Sequence, residues 1–200
     1  KSVYTSAALH QFYGPDWAPA EGAPSSTGFV RSVESDLRWG LLTHPFFTSS
    51  MSYHNATSPI HRGIVLYKYL LGRNLRPPAD DFAPLSPDLH PNLTTRQRVE
   101  LQTSPESCQV CHSKINNLGF TLENVDAVGR FRREEQSQPI DTSGLYLDRD
   151  GREEKFTDIG SVARYLASSP EMHRAFVNRA FQHFTKQPPA AYGPNVLDQL

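Results

Sequence analysis

Two thiols and an imidazole stand together at one point of the chain, in the run Cys108-Gln109-Val110-Cys111-His112. The two cysteines are the only ones in 200 residues. On a helical turn, residues three apart share a face. Both sulfurs can then reach the two vinyl groups of one porphyrin, while the following imidazole rises from the same turn toward its iron. This is the Cys-x-x-Cys-His pattern of covalent haem attachment. It predicts one haem c held by Cys108 and Cys111, with His112 as an axial ligand through Nε2. The other ring nitrogen then needs an acceptor to fix the ring, and a backbone carbonyl near Asn116 or Asn117 is the expected one. A thioredoxin-like redox pair would want a βαβ setting, which the sequence lacks. A zinc site would need two further ligands from the eight histidines or the acids.

The motif needs a helix beneath it and others around it. Thr94 to Gln102 reads as a polar helix leading into the cysteines. Upstream, Ser58-Pro59 is a helix start, with Ser as N-cap and Pro in the first turn. Ile60, Ile64, Tyr67 and Leu71 follow at helical spacing, and Gly72 is placed to stop the helix. Val3 to Tyr13 predicts a short helix ended by Gly14-Pro15, Ser35 to Leu42 a helical turn, and Leu122 to Val128 another short helix. Thr43 to Thr57 is a polar, aromatic loop, and residues 76–93 hold five prolines and read as an extended linker. Leu145, Leu147 and Phe156 flank Asp150-Gly151, a hairpin signal. Asp148, Asp150 and Glu153 faintly resemble a calcium loop, but without its full ligand set they read as a turn. Two helices follow, near 158–167 and 169–186, the second with an apolar stripe of Met172, Phe176, Val177, Ala180, Phe181 and Phe184.

The fold class expected is therefore mainly α: a cytochrome c-like haem domain with long loops and one small β-hairpin, plus a C-terminal helical region. Sixteen prolines and 12 glycines interrupt the chain often, and 38% hydrophobic residues make a lean core that the apolar face of a porphyrin would help to fill. The formal net charge of −1 suggests neither nucleic acid nor an anionic membrane surface as partner. No run of 18 apolar residues exists to span a membrane. Lys1 in place of a starting Met suggests a processed product or a fragment.

From Cys108 to Arg132 the sequence resembles the cytochrome domain of the large planctomycete-type multi-domain cytochrome proteins. Gly40-Leu41-Leu42-Thr43-His44-Pro45 and Thr57-Ser58-Pro59-Ile60-His61-Arg62-Gly63 resemble the start of that domain. Ile140-Asp141-Thr142-Ser143-Gly144 and the last 40 or so residues resemble the small helical domain that follows it. One departure is Asn117, where the family usually has Pro. The resemblance implies three parts: residues 1–39 as the tail of a preceding helical domain, 40–137 as the haem domain, and 138–200 as a small C-terminal helical domain. It also implies export across the cytoplasmic membrane, to the periplasm or cell envelope, and other domains of a larger parent protein as neighbours.

The sixth iron ligand stays open among Met51, His54, His61, His90, Met172, His173 and water. His61 lies in the family motif and is the leading candidate, although in a first helical turn it could equally cap or pair with an acid. Met51 and His54 share one loop, and Met172 belongs to an apolar stripe that suits core packing. Arg130, Arg132 or Arg133 could neutralise a haem propionate, or the three could form a solvated basic turn. Val110, Leu118, Phe120, Leu122 and Phe131 are expected against the porphyrin or in ordinary core. Asn55 and Asn92 sit in short glycosylation sequons. The function expected is single-haem electron transfer to a redox partner protein. The alternatives are a haem enzyme component, peroxidase- or oxidase-like, with an open distal site, and a docking module whose haem supports folding.

Overall fold

The computed structural model describes residues 1–22, 28–75 and 90–200. Among these, the chain forms eight α-helices and three two-stranded antiparallel sheets, so the fold is mainly α with small hairpins. Helices α1 (Ala7–Tyr13) and α2 (Pro45–Ser50) precede α3 (Pro59–Ile64), which runs directly into a π-helical segment over Val65–Leu70. Helices α4 (Thr95–Gln102) and α5 (Glu106–Phe120) follow, and α6 (Ile159–Ser168), α7 (Pro170–Thr185) and α8 (Val196–Gln199) close the chain. Most of the expected linker over 76–93 lies outside the described residues.

The start of α3 follows its sequence signal. Ser58 Oγ accepts the His61 N–H at 3.4 Å, Pro59 occupies the first turn, and Gly72, with φ +64°, ends the run. The interior does not keep α spacing. Leu71 N–H donates to Leu66 O at 2.9 Å, a five-residue return. That wider turn puts Leu66 and Leu71 on one side, and both are almost fully buried. Ile60 and Ile64, expected on the buried stripe, are only partly covered.

Helix α3 crosses α5 with backbone touching backbone. A Cβ on Gly63 would stand 2.0 Å from Ile115 O, and one on Gly119 would stand 1.9 Å from Pro59 O. No other residue fits at either position. Around this crossing lies a core of Leu42, Leu66, Tyr67, Leu71, Ile115, Leu118 and Leu122, continued by Tyr146, Phe156, Ile159, Val162 and Leu166. The cluster runs without a break across residue 137.

Beside Gly63, Arg62 is wholly buried. Its Nη1 donates to Leu122 O (2.9 Å), Val125 O (2.7 Å) and Glu123 Oε1 (3.2 Å). Its Nη2 donates to Ser52 Oγ (3.2 Å) and Asp126 O (3.1 Å). Glu123 also accepts from Thr57 (2.6 Å) and from Arg132 (3.0 Å). Burial lowers the Arg62 pKa and raises that of Glu123, with the mutual attraction of the pair opposing both shifts. This network corrects the expected helix over Leu122–Val128. The carbonyls of 122, 125 and 126 turn inward to the guanidinium rather than along a helix axis, and the segment is a chain of turns. Asp126 Oδ1 completes it by accepting from the N–H groups of Val128 and Arg130 at 2.9 and 2.8 Å.

Other expectations need correction. The helix expected from Val3 begins only at Ala7, where Ser6 caps it; Tyr4–Thr5 instead form strand β1, paired with β2 (Val30–Arg31). The helical turn expected over Ser35–Leu42 is a 3-10 turn over Gly40–Thr43, and the loop after it contains α2. Besides the expected hairpin of β5 (Gly144–Leu147) and β6 (Glu153–Phe156), a second joins β3 (Glu134–Glu135) to β4 (Gln138–Pro139). Its turn residues, Gln136 and Ser137, take φ +53° and +59°. A two-residue turn with both φ values positive normally advertises itself as Asn-Gly or Asp-Gly, and Gln-Ser gives no such sign. The Asp148 loop is a turn, its carboxylate accepting from the N–H groups of Asp150 and Arg152, both at 2.8 Å. Helices α6 and α7 form where expected, but only part of the α7 stripe meets the core: Met172 packs on it, Phe176 and Phe184 are 64% and 81% exposed, and Ala175 is the buried residue of that helix.

Two stability predictions follow from the crossing and the buried pair. Gly119→Ala forces two backbones apart and should cost about 3 kcal/mol, the upper end for overpacking, whereas Lys114→Ala on the exposed side of α5 should be near neutral; urea unfolding measures both. Arg62→Met takes the buried cation from Glu123, which keeps only Thr57 and Arg132, and leaves Val125 O without its partner; it should cost about 3 kcal/mol. Adding Glu123→Gln to Arg62→Met should cost less than Glu123→Gln alone, because no buried guanidinium then remains to lose its carboxylate; additive losses would show the pair uncoupled.

Candidate functional site

The thiols and the imidazole lie on α5. The helix enters through Pro105, whose carbonyl accepts the Cys108 N–H at 2.9 Å. At about 100° per residue, Cys108, Cys111, His112, Ile115 and Gly119 fall on one face. The last two lie under α3. The first three continue the same face toward the helix N-terminus and are half-buried. Val110, on the other side, is 65% exposed.

His112 is oriented by a relay of side chains. Thr103 Oγ1 donates to Val99 O at 2.7 Å, at the end of α4. Its lone pairs accept the amide N–H of Asn116 at 2.9 Å. That turns Asn116 Oδ1 toward His112 Nδ1, 3.0 Å away. Since a carbonyl oxygen only accepts, Nδ1 carries a proton, and in the neutral ring the lone pair is then on Nε2. Both Asn116 and Thr103 are buried, so water does not compete for these bonds. The acceptor is thus the Asn116 side chain and not a backbone carbonyl near it. The four-residue spacing of His112 and Asn116 was the sequence signal; Thr103, one helix away, gave none. Gln109 adds a second tie between the helices by donating to Thr103 O.

The other expected site residues disperse. Leu118 and Leu122 are core, and Phe120 lies beneath the Arg96 guanidinium, 4.4 Å from its ring centre. Phe131 bridges to Val125 and carries Arg133 over its ring. Arg130 pairs with Asp126 at 3.2 Å and lies over Phe12, and Arg132 serves Glu123. His61 is exposed, its Nδ1 2.9 Å from Ser58 Oγ and its ring edge-on to Tyr53. Two residues from both Pro59 and Gly63, it occupies the side of α3 turned away from α5. Met51 is buried, His54 exposed and His90 half-buried; Met172 packs on the core, and His173 contacts Ala167 O at 3.1 Å. The arrangement therefore offers two thiols and a lone-pair nitrogen on one half-open face, with the imidazole held in one tautomer.

Residues 38–135, just under half of the chain, contain the crossing, the buried pair and this face. That stretch matches the family model described as PSCyt3: Protein of unknown function (DUF1588). It is a planctomycete cytochrome-type domain family. Neither a curated protein nor a solved structure matches. Within the PSCyt3 stretch lie α2 to α5 and the whole His112–Asn116–Thr103 relay. Among the described residues, no helix is long and apolar enough to cross a membrane.

Proposed function

We propose that this chain is a single-haem electron-transfer module, with haem c bound covalently through Cys108 and Cys111 and ligated by His112. The observation that carries this reading is the relay from Val99 through Thr103 and Asn116, which leaves the Nε2 lone pair of His112 free beside the two thiols. The donor set fits the group: two sulfurs a helical turn apart and one imidazole on the same face, half-open to solvent. The cytochrome-type family of residues 38–135 supports it as well. Bound there, haem supplies a reversible one-electron couple. The chain's own residues do the rest. Cys108 and Cys111 anchor, His112 donates its lone pair, and Asn116 holds the Nδ1 proton and raises the basicity of the ligand. Residence outside the cytoplasm, a redox partner protein and further domains of a larger parent belong to the same reading.

A second reading, a haem enzyme component with an open distal position, is favoured by one feature: His61, the leading candidate for the sixth ligand, sits on the far side of α3.

Three measurements test these readings. Protein made in a host competent for cytochrome maturation should keep its haem through denaturation and acid–acetone extraction; a colourless or extractable product overturns the proposal. Replacing Met51, His54 and His61 by Ala one at a time should find a single variant that turns the iron high-spin, and the untouched reduced protein should bind carbon monoxide slowly or not at all. If none does so and carbon monoxide binds readily, the enzyme reading takes over. In the haem-loaded protein, Asn116→Leu removes the acceptor and should raise the reduction potential by about 50 mV, close to a tenfold change in a one-electron equilibrium. Asn116→Asp, a stronger acceptor, should lower the potential. A purely structural role for Asn116 would move both in the same direction.

A further inference from the structure

Away from the thiols, a cavity of ≈ 330 Å3 lies between the end of the π-helical segment, the turn of the β5–β6 hairpin and α7. Five cationic side chains line it, Lys68, Arg73, Arg149, Arg174 and Arg179, against one acid, Glu171. Asp198 pairs with Arg174. Five positive charges against these two carboxylates leave +3 at one place on a chain whose net charge is −1. The one lining acid is already engaged: Glu171 accepts from the Tyr146 hydroxyl, from the Arg149 backbone N–H and from Arg73 Nη1 at 3.3 Å.

The cations are held in place. Arg179 Nη2 donates to Lys68 O at 2.7 Å, and its guanidinium lies 4.9 Å from the centre of the Tyr69 ring. Arg149 Nη2 donates to Gly72 O at 2.8 Å. Arg73 lies over the Tyr67 and Tyr146 rings at 5.7 and 5.8 Å. Part of the floor is bare, because Gly72 has no side chain and a Cβ there would come within 2.8 Å of the Cβ of Ala175. Guanidinium groups fixed by backbone bonds repel one another until an anion sits among them. They also lose little freedom when it does, which favours binding.

We propose that this cavity binds a small polyanion bearing at least two phosphate groups, independently of the haem site. Guanidinium forks match tetrahedral oxyanions, the lining is polar, and the volume is at the small end for ligand pockets. The source of the phosphate groups, free inorganic anion or phosphorylated sugar, is separated by two probes.

Isothermal titration of the full chain at low ionic strength, with pyrophosphate and with fructose 1,6-bisphosphate, should show at least one binding about tenfold or more tighter than orthophosphate. Lys68→Glu with Arg179→Glu should weaken that affinity about tenfold or more, with far-ultraviolet circular dichroism unchanged, since both side chains are exposed. Should the double variant fail to fold, Asn178→Asp, which places an acid in the lining, should also weaken binding. Absence of binding by both probes, affinity equal to that for orthophosphate, or indifference to the folded charge variants would overturn the proposal.

Discussion

The contact on which the structure depends is the crossing of α3 and α5 at Gly63 and Gly119. Each glycine lets the other helix's backbone approach to where a Cβ would overlap a carbonyl oxygen. Such a contact fixes the rotation of α5 about its own axis, because only the face bearing Ile115 and Gly119 can lie against α3. Cys108, Cys111 and His112 share that face one to two turns earlier, so their direction is set by a packing constraint that involves none of them. Arg62 extends the clamp. Adjacent to Gly63, it grips the chain just after α5 by three carbonyls, so the helix is held along its C-terminal third and again beyond its end.

How far this was legible in the sequence differs by element. The Cys-x-x-Cys-His run, the Ser58-Pro59 start and the Asp150-Gly151 turn are local chemistry, readable from a few neighbouring residues. The π-helical return from Leu71 to Leu66 is not, because core geometry imposes it on residues whose own preference is ordinary helix. The segment after Leu122 has a helical composition, but its carbonyls are claimed by an arginine about 60 positions earlier. The β1–β2 pairing joins Tyr4 to Arg31, far apart along the chain. Of the candidate site, the two thiols, the imidazole and the neighbourhood of Asn116 were visible. Thr103 and the group of cations at the far cavity were not, since both depend on which helices meet.

Helix α7 is a case where pattern and burial part company. Its apolar residues recur at helical spacing, yet Phe176 and Phe184 face outward. The helix turns Ala175 inward, against Gly72, because the ground there is occupied by the end of the π-helical segment and only small residues can approach. The close approach brings the α7 cations beside Lys68 and Arg73. The price of a tight α7 contact is thus an apolar flank left in water and a concentration of positive charge.

The same logic of one contact serving two purposes holds at His112. Asn116 lies one turn beyond His112 and also carries the bond to Thr103, at the end of α4. Helix α4 begins with a capping box in which Thr94 and Gln97 satisfy each other's backbone N–H groups, and Glu135 accepts both the N–H and the hydroxyl of Thr95 at 2.8 and 2.6 Å. The position of Thr103 is therefore set from both ends of α4: by caps at its start and by the bond to Val99 O at its finish. A proton on a particular nitrogen of His112 is in this way tied to helix capping at the far end of the neighbouring helix. The tautomer of the candidate iron ligand is a property of the α4–α5 pair and not of the five-residue motif that announces it.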